Sequence, residues 1–181
     1  TIVPLSVYTR YDDGNYEDKA NVEFSVNQWK KGESVAGDWA LLKIDKKLGE
    51  NRGFFGVEDI RDLNNLKHVK LAGYSTDIAN GSVLSVDPDC AVNNIYGNGM
   101  LEGSDLGLMD RTAGLIDHDC DMETGASGAP LLTCDASNES CVIVGVNNNF
   151  RSYDVLLKDT NQASGASLFL KTLLELRDKG Y

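Results

Sequence analysis

The stretch Thr124-Gly125-Ala126-Ser127-Gly128-Ala129-Pro130-Leu131-Leu132 decides how the rest of the chain is read. A serine between glycines, just ahead of an apolar run, suits a tight exposed turn that feeds a strand. Such a turn can aim successive backbone N–H groups at one spot, which is what an oxyanion needs: donors fixed before the charge develops. The donors here would be the amides of Gly125 and Ser127. Gly125 has no Cβ, so a substrate carbonyl can come close to the backbone. Taken alone, Gly-Ala-Ser-Gly fits an ordinary β-turn equally well. It does not fit a G-x-S-x-G nucleophile elbow, because Ala129 stands in the last position and no strand-to-helix switch follows.

Outward from this turn, short apolar runs recur between Gly, Asn and Asp. They are 2–7, 20–26 (with Val22, Phe24 and Val26 alternating onto one face), 39–44, 54–57, 69–74, 82–86, 129–132 and 141–146. Many short strands at this spacing predict an all-β sandwich or barrel, and the lack of strand–helix alternation disfavours a doubly wound sheet. Residues 57–66 read as a short helix or a charged loop. Residues 167–179 read as a helix, with Ser167 as N-cap and Leu170, Leu173, Leu174 and Arg177 at helical spacing.

The 181 residues suit one domain or two small ones sharing an interface. A net charge of −11 disfavours nucleic acid and anionic membranes as partners. No run is long and apolar enough for a transmembrane helix, and no leader opens the chain, so any signal peptide is expected to be already removed or outside it. The four cysteines allow three pairings. Spacing favours Cys134 with Cys141 around a short polar loop, which leaves Cys90 with Cys120. Without a CxxC pair, and with His68 and His118 the only histidines, a zinc site is not expected. No cofactor is expected either. Two disulfides imply an oxidising compartment, so the protein is expected to be secreted or periplasmic.

The wider pattern is more specific than the turn. The run 124–132 resembles the nucleophile segment of trypsin-fold serine endopeptidases, in the branch that includes the bacterial glutamyl endopeptidases. Gly37-Asp38-Trp39-Ala40-Leu41-Leu42-Lys43-Ile44 resembles that family's aspartate segment. Val142–Asn147 resembles the strand that returns beside the specificity pocket, and Leu71-Ala72-Gly73-Tyr74 resembles the start of the second barrel. The resemblance covers essentially the whole chain. It implies an all-β, trypsin-like double β-barrel with a C-terminal helix: residues 1–66 as the remainder of an N-terminal barrel with its connection, and 67–181 as the C-terminal barrel. It implies that Ser127 attacks a peptide carbonyl, that Asp38 orients a histidine, and that the Gly125 and Ser127 amides hold the oxyanion.

One departure stands out. The family's histidine precedes its aspartate, and no histidine precedes Asp38. The N-terminal barrel is therefore expected to be incomplete, with the catalytic histidine on a missing segment or on a cleaved companion chain. His68, among charged residues, is expected at the surface, and His118 in a structural place or near the pocket. Without a base, serine is a poor nucleophile. The competing reading is a catalytically inactive protein-binding domain, or an incomplete fragment. For specificity, Asp121 stands where the pocket floor lies in trypsin-like enzymes, which points to basic residues in a protein or peptide substrate. Asn147 stands where a glutamyl endopeptidase would be expected to place a histidine, which argues against glutamate. Asn147, Asn148 and Asn149 are expected in the pocket wall.

Overall fold

The structure is a computed structural model that describes residues 5–27, 35–62, 64–96, 114–121, 123–137, 140–151 and 160–181. Ten strands and one helix are found among them. In chain order the strands are β1 (Ser6–Thr9), β2 (Asp18–Asn27), β3 (Ala40–Ile44), β4 (Gly56–Val57), β5 (His68–Gly73), β6 (Ser85–Ile95), β7 (Leu115–His118), β8 (Pro130–Cys134), β9 (Cys141–Arg151) and β10 (Thr160–Gly165). The helix α1 spans Leu170–Asp178.

The strands sort into two sheets. β1, β2 and β3 form an open antiparallel sheet. The others run in the order β10-β7-β6-β5-β8-β9-β4, and β10 also pairs with β9. That extra pairing closes six strands into a barrel and leaves the two-residue β4 lying parallel against the outside of β9. The all-β architecture, with a closed barrel and a C-terminal helix, is therefore the one expected.

The barrel closes around Val69, Leu71, Ile116, Ala126, Leu131, Val144 and Ala163. Burial of such side chains is the main force holding it. A second, smaller cluster joins the sheets: Trp39 and Phe169 lie 5.9 Å apart, packed with Ala166 and Leu41. Disulfides link Cys90 to Cys120 and Cys134 to Cys141, the pairing favoured by the spacing. Asp87 approaches the first pair, but both sulfurs there belong to the disulfide. No helix among the described residues is long and apolar enough to cross a membrane.

Three details differ from the sequence reading, and one of its alternatives is settled. The β2–β3 register shifts between Val22 and Phe24, so Val22 does not share a face with Phe24 and Val26. Residues 57–66, read as a short helix or a charged loop, form no helix within the part described, in keeping with the loop. Ser167 is not the N-cap, because a single 3₁₀ turn over Ala166–Leu168 comes first and α1 begins after Phe169. β7 and β10 were not anticipated. Their polar residues Asp117, His118, Gln162 and Ser164 are buried, which a hydrophobic-run reading assigns to loops.

Candidate active site

The Ser127 turn lies in the connection between β7 and β8. Ala126 and Ala129 are buried and anchor it, while Thr124, Gly125, Ser127 and Gly128 are exposed. Gly125 sits at φ +99°, and a Cβ there would lie 2.7 Å from the Tyr74 carbonyl oxygen. Only glycine tolerates both conditions. The Thr76 N–H donates to the Thr124 carbonyl at 2.8 Å, and the Glu123 N–H donates to Ser75 Oγ at 2.8 Å, so the segment that follows β5 braces the turn.

The amides of the turn divide into two sets. Ala126 N–H donates to the Glu123 carbonyl, Gly128 N–H to the Asn147 carbonyl at 2.7 Å, and Ala129 N–H to the Ala126 carbonyl. The N–H groups of Gly125 and Ser127 donate to none of the described residues. These are the two amides named from sequence as oxyanion donors.

Asn147 on β9 holds the turn from below. It is 6% exposed. Its N–H donates to the Ala129 carbonyl, its Nδ2 donates to the Ala126 carbonyl at 3.1 Å, and its Oδ1 lies 3.1 Å from His118 Nε2. His118 is fully buried in β7. Burial pushes its pKa down to about 4, against the opposing pull of the Asn147 hydrogen bond and of Asp117, Asp119 and Asp87. It is neutral at neutral pH and bonds to Asn147. His68 is on the surface, 3.0 Å from an Asp89 carboxylate oxygen.

Asp38 lies in the turn between the 3₁₀ residues Val35–Gly37 and β3, with its side chain exposed. Asn148 links this turn to the barrel. Its Nδ2 donates to the Val35 carbonyl at 2.9 Å, to Ser164 Oγ at 2.7 Å and, more weakly, to the Asp38 carbonyl at 3.4 Å.

A cleft of about 390 Å³ opens beside Ser127. Glu123 and Thr124 line it on the turn, residues 147–150 along β9, and Asn161 on β10. The structure thus brings Ser127, Asn147 and Asn148 to one cleft. Asp121 is not among the lining residues; it is exposed, and its N–H donates to Asp87 Oδ2. Glu123 and Asn161 were not singled out from sequence. Their place depends on the bend of the turn and on the β9–β10 register, which slips between Gln162 and Ala163. A larger hollow of about 1050 Å³ lies elsewhere, between α1, β2, β3 and Phe54–Phe55, and its lining does not include Ser127.

Comparison with known proteins gives the fold. No family model matches the chain, and no curated protein matches it. A solved structure of a Glu endopeptidase in complex with MPD superposes with a TM-score of 0.65 over 97% of this chain and 72% of that one, at 20% identity. The chain therefore shares a trypsin-like fold.

Proposed function

We propose that a chain with this fold is the larger part of a serine endopeptidase, with Ser127 as nucleophile. The observation that carries the reading is the alternation of amides around Ser127. Three are bonded within the protein, while those of Gly125 and Ser127 donate to none of the described residues. Unpaired donors fixed by a rigid turn are what a developing oxyanion uses, and one such donor is worth about a hundredfold to a thousandfold in rate. In this reading Ser127 Oγ adds to the peptide carbonyl, its proton passes to a histidine, and that proton later goes to the leaving amine. Water then hydrolyses the acyl-enzyme. Asp38 orients the histidine.

Neither histidine of this chain suits the role of base. His118 is buried and engaged with Asn147, and His68 is engaged with Asp89 at the surface. The base is assigned to a polypeptide outside this sequence, which would complete the sheet left open by β1, β2 and β3. The two disulfides support an oxidising compartment.

The test is a fluorophosphonate probe followed by denaturing intact-mass measurement. An adduct on Ser127 together with a second, lighter polypeptide supports the reading. A protein that stays unlabelled, with no companion, instead supports the second reading, a non-catalytic trypsin-like domain. That reading is favoured by the same two histidine placements.

A further inference from the structure

We propose that the cleft beside Ser127 selects a cationic side chain, using Glu123 and the side-chain carbonyls of Asn149 and Asn161, and that Asp121 takes no part. The inference rests on the reading of this cleft as the primary substrate pocket.

The asparagines first set the polarity. The Nδ2 of each is anchored to the protein: Asn147 to the Ala126 carbonyl, Asn148 to Ser164 Oγ and the Val35 carbonyl, Asn149 to Gln162 Oε1 at 3.3 Å, and Asn161 to the Cys120 carbonyl at 2.7 Å. The Asn147 carbonyl oxygen is taken by His118. The Oδ1 atoms of Asn148, Asn149 and Asn161 have no partner among the described residues, and that of Asn148 is also shut off from water. An asparagine amide held by its NH₂ end presents its acceptor elsewhere. On the lining, the Oδ1 atoms of Asn149 and Asn161 are therefore the unspent side-chain amide acceptors, whereas that of Asn148 is buried.

Charge then chooses among donors. Glu123 is exposed on the lining, its carboxylate accepts from none of the described residues, and none of the lining residues is basic. A substrate carboxylate would meet acceptors and a like charge, and like-charge juxtaposition is what excludes wrong partners. A lysine or arginine would meet acceptors, a counter-charge and the exposed ring of Phe150 along its aliphatic stem. Asp121 has no comparable position, because it does not line the cleft.

The test reads binding rather than turnover. Amide ¹H–¹⁵N spectra are followed while Nα-acetyl-argininamide, Nα-acetyl-glutaminamide or Nα-acetyl-glutamic acid amide is added to the whole chain. The expected result is saturable shifts at Ser127, Asn149 and Asn161 with the arginine compound, and none with the glutamic acid compound. Binding should weaken about fivefold in Glu123→Gln, the size an exposed ion pair allows, and should not change in Asp121→Asn. The Glu123 side chain makes no bond that holds the turn, so this variant keeps the fold, and its spectrum verifies that. Any of four results overturns the inference: the glutamic acid compound binding as well as the arginine one, the glutamine compound matching it, Asp121→Asn weakening binding as much as Glu123→Gln, or no compound giving saturable shifts. Fluorophosphonate labelling is scored separately. A labelled protein that ignores arginine refutes the pocket assignment alone, and an unlabelled one that binds it refutes catalysis alone.

Discussion

His118 Nε2 lies 3.1 Å from Asn147 Oδ1, and through that contact a fully buried ring on β7 fixes the side chain that holds the Ser127 turn. Asn147 donates its Nδ2 to the Ala126 carbonyl, so its Oδ1 is the acceptor and His118 carries its proton on Nε2. His118 Nδ1 is then a bare lone pair, buried without a partner among the described residues.

Acid should therefore weaken the fold through His118. Its folded pKa, about 4, lies below the roughly 6.5 of an unfolded histidine. Between these values the unfolded state binds more protons, so stability falls as pH drops below about 6.5 and the loss levels off below about 4. The full difference is on the order of 3 kcal/mol. Urea unfolding of the wild type and of His118→Gln at pH 7.5 and 4.5 checks this. The wild type should lose about 2 kcal/mol more than the variant. Equal losses would mean that His118 does not titrate in this window.

Asn147→Ala strands a buried N–H on His118 and removes one of the two donors to the Ala126 carbonyl, which keeps the Ala129 N–H. The expected cost is about 1–3 kcal/mol by chemical denaturation. Asn147→Asp keeps the shape but sets a carboxylate oxygen against the Ala126 carbonyl and draws a proton to the imidazole. NMR should show the His118 pKa rising above its wild-type value, and an unchanged pKa would contradict the hydrogen bond.

Two glycines of the turn should respond differently to alanine. Gly128 sits at φ +90° with nothing within 4 Å of a Cβ, so Gly128→Ala meets only backbone strain, about 1–2 kcal/mol. Gly125→Ala meets that strain together with the Tyr74 carbonyl 2.7 Å away. It should cost distinctly more in thermal unfolding and abolish fluorophosphonate labelling. Similar melting points for the two variants would show that the Tyr74 approach is relaxed.

The two disulfides should differ in worth. Cys90–Cys120 closes 30 residues of sequence separation and Cys134–Cys141 closes 7. Chain entropy alone makes the longer closure worth about 1 kcal/mol more. Both Cys90 and Cys120 are also buried in the core, unlike the second pair. Replacing each pair with serine and comparing urea midpoints tests the order.

The parts legible in the sequence were those where polarity and burial agree. Leu71, Leu131 and Val144 lie in apolar runs, and those runs became β5, β8 and β9. β7 and β10 were hidden because several of their buried polar groups, Asp117 and Gln162 among them, are paired inside the protein. Asp117 accepts from Tyr96 OH at 2.7 Å and from Gln162 Nε2 at 2.8 Å, and Gln162 Oε1 accepts from Asn149. Such pairing removes the cost of burying polar side chains, and with it the signal that alternation relies on. The Ser127 turn was readable because its glycines do work that only glycine can do. The place of Asn147, Asn148 and Asn149 beside it was readable too, but not the polarity of the cleft, because a donor and an acceptor on the same asparagine look alike until the register shows which end is taken.

The open sheet has a consequence for how copies of the protein meet. A strand can join another molecule only where a backbone edge lacks a neighbour. The barrel has closed its edges apart from the short β4, whereas β1 and β3 each have one neighbour among the described strands. Among the described strands, the edges open to such joining are therefore those of β1, β3 and the short β4. Any polypeptide that seats itself there natively also protects the protein from joining itself.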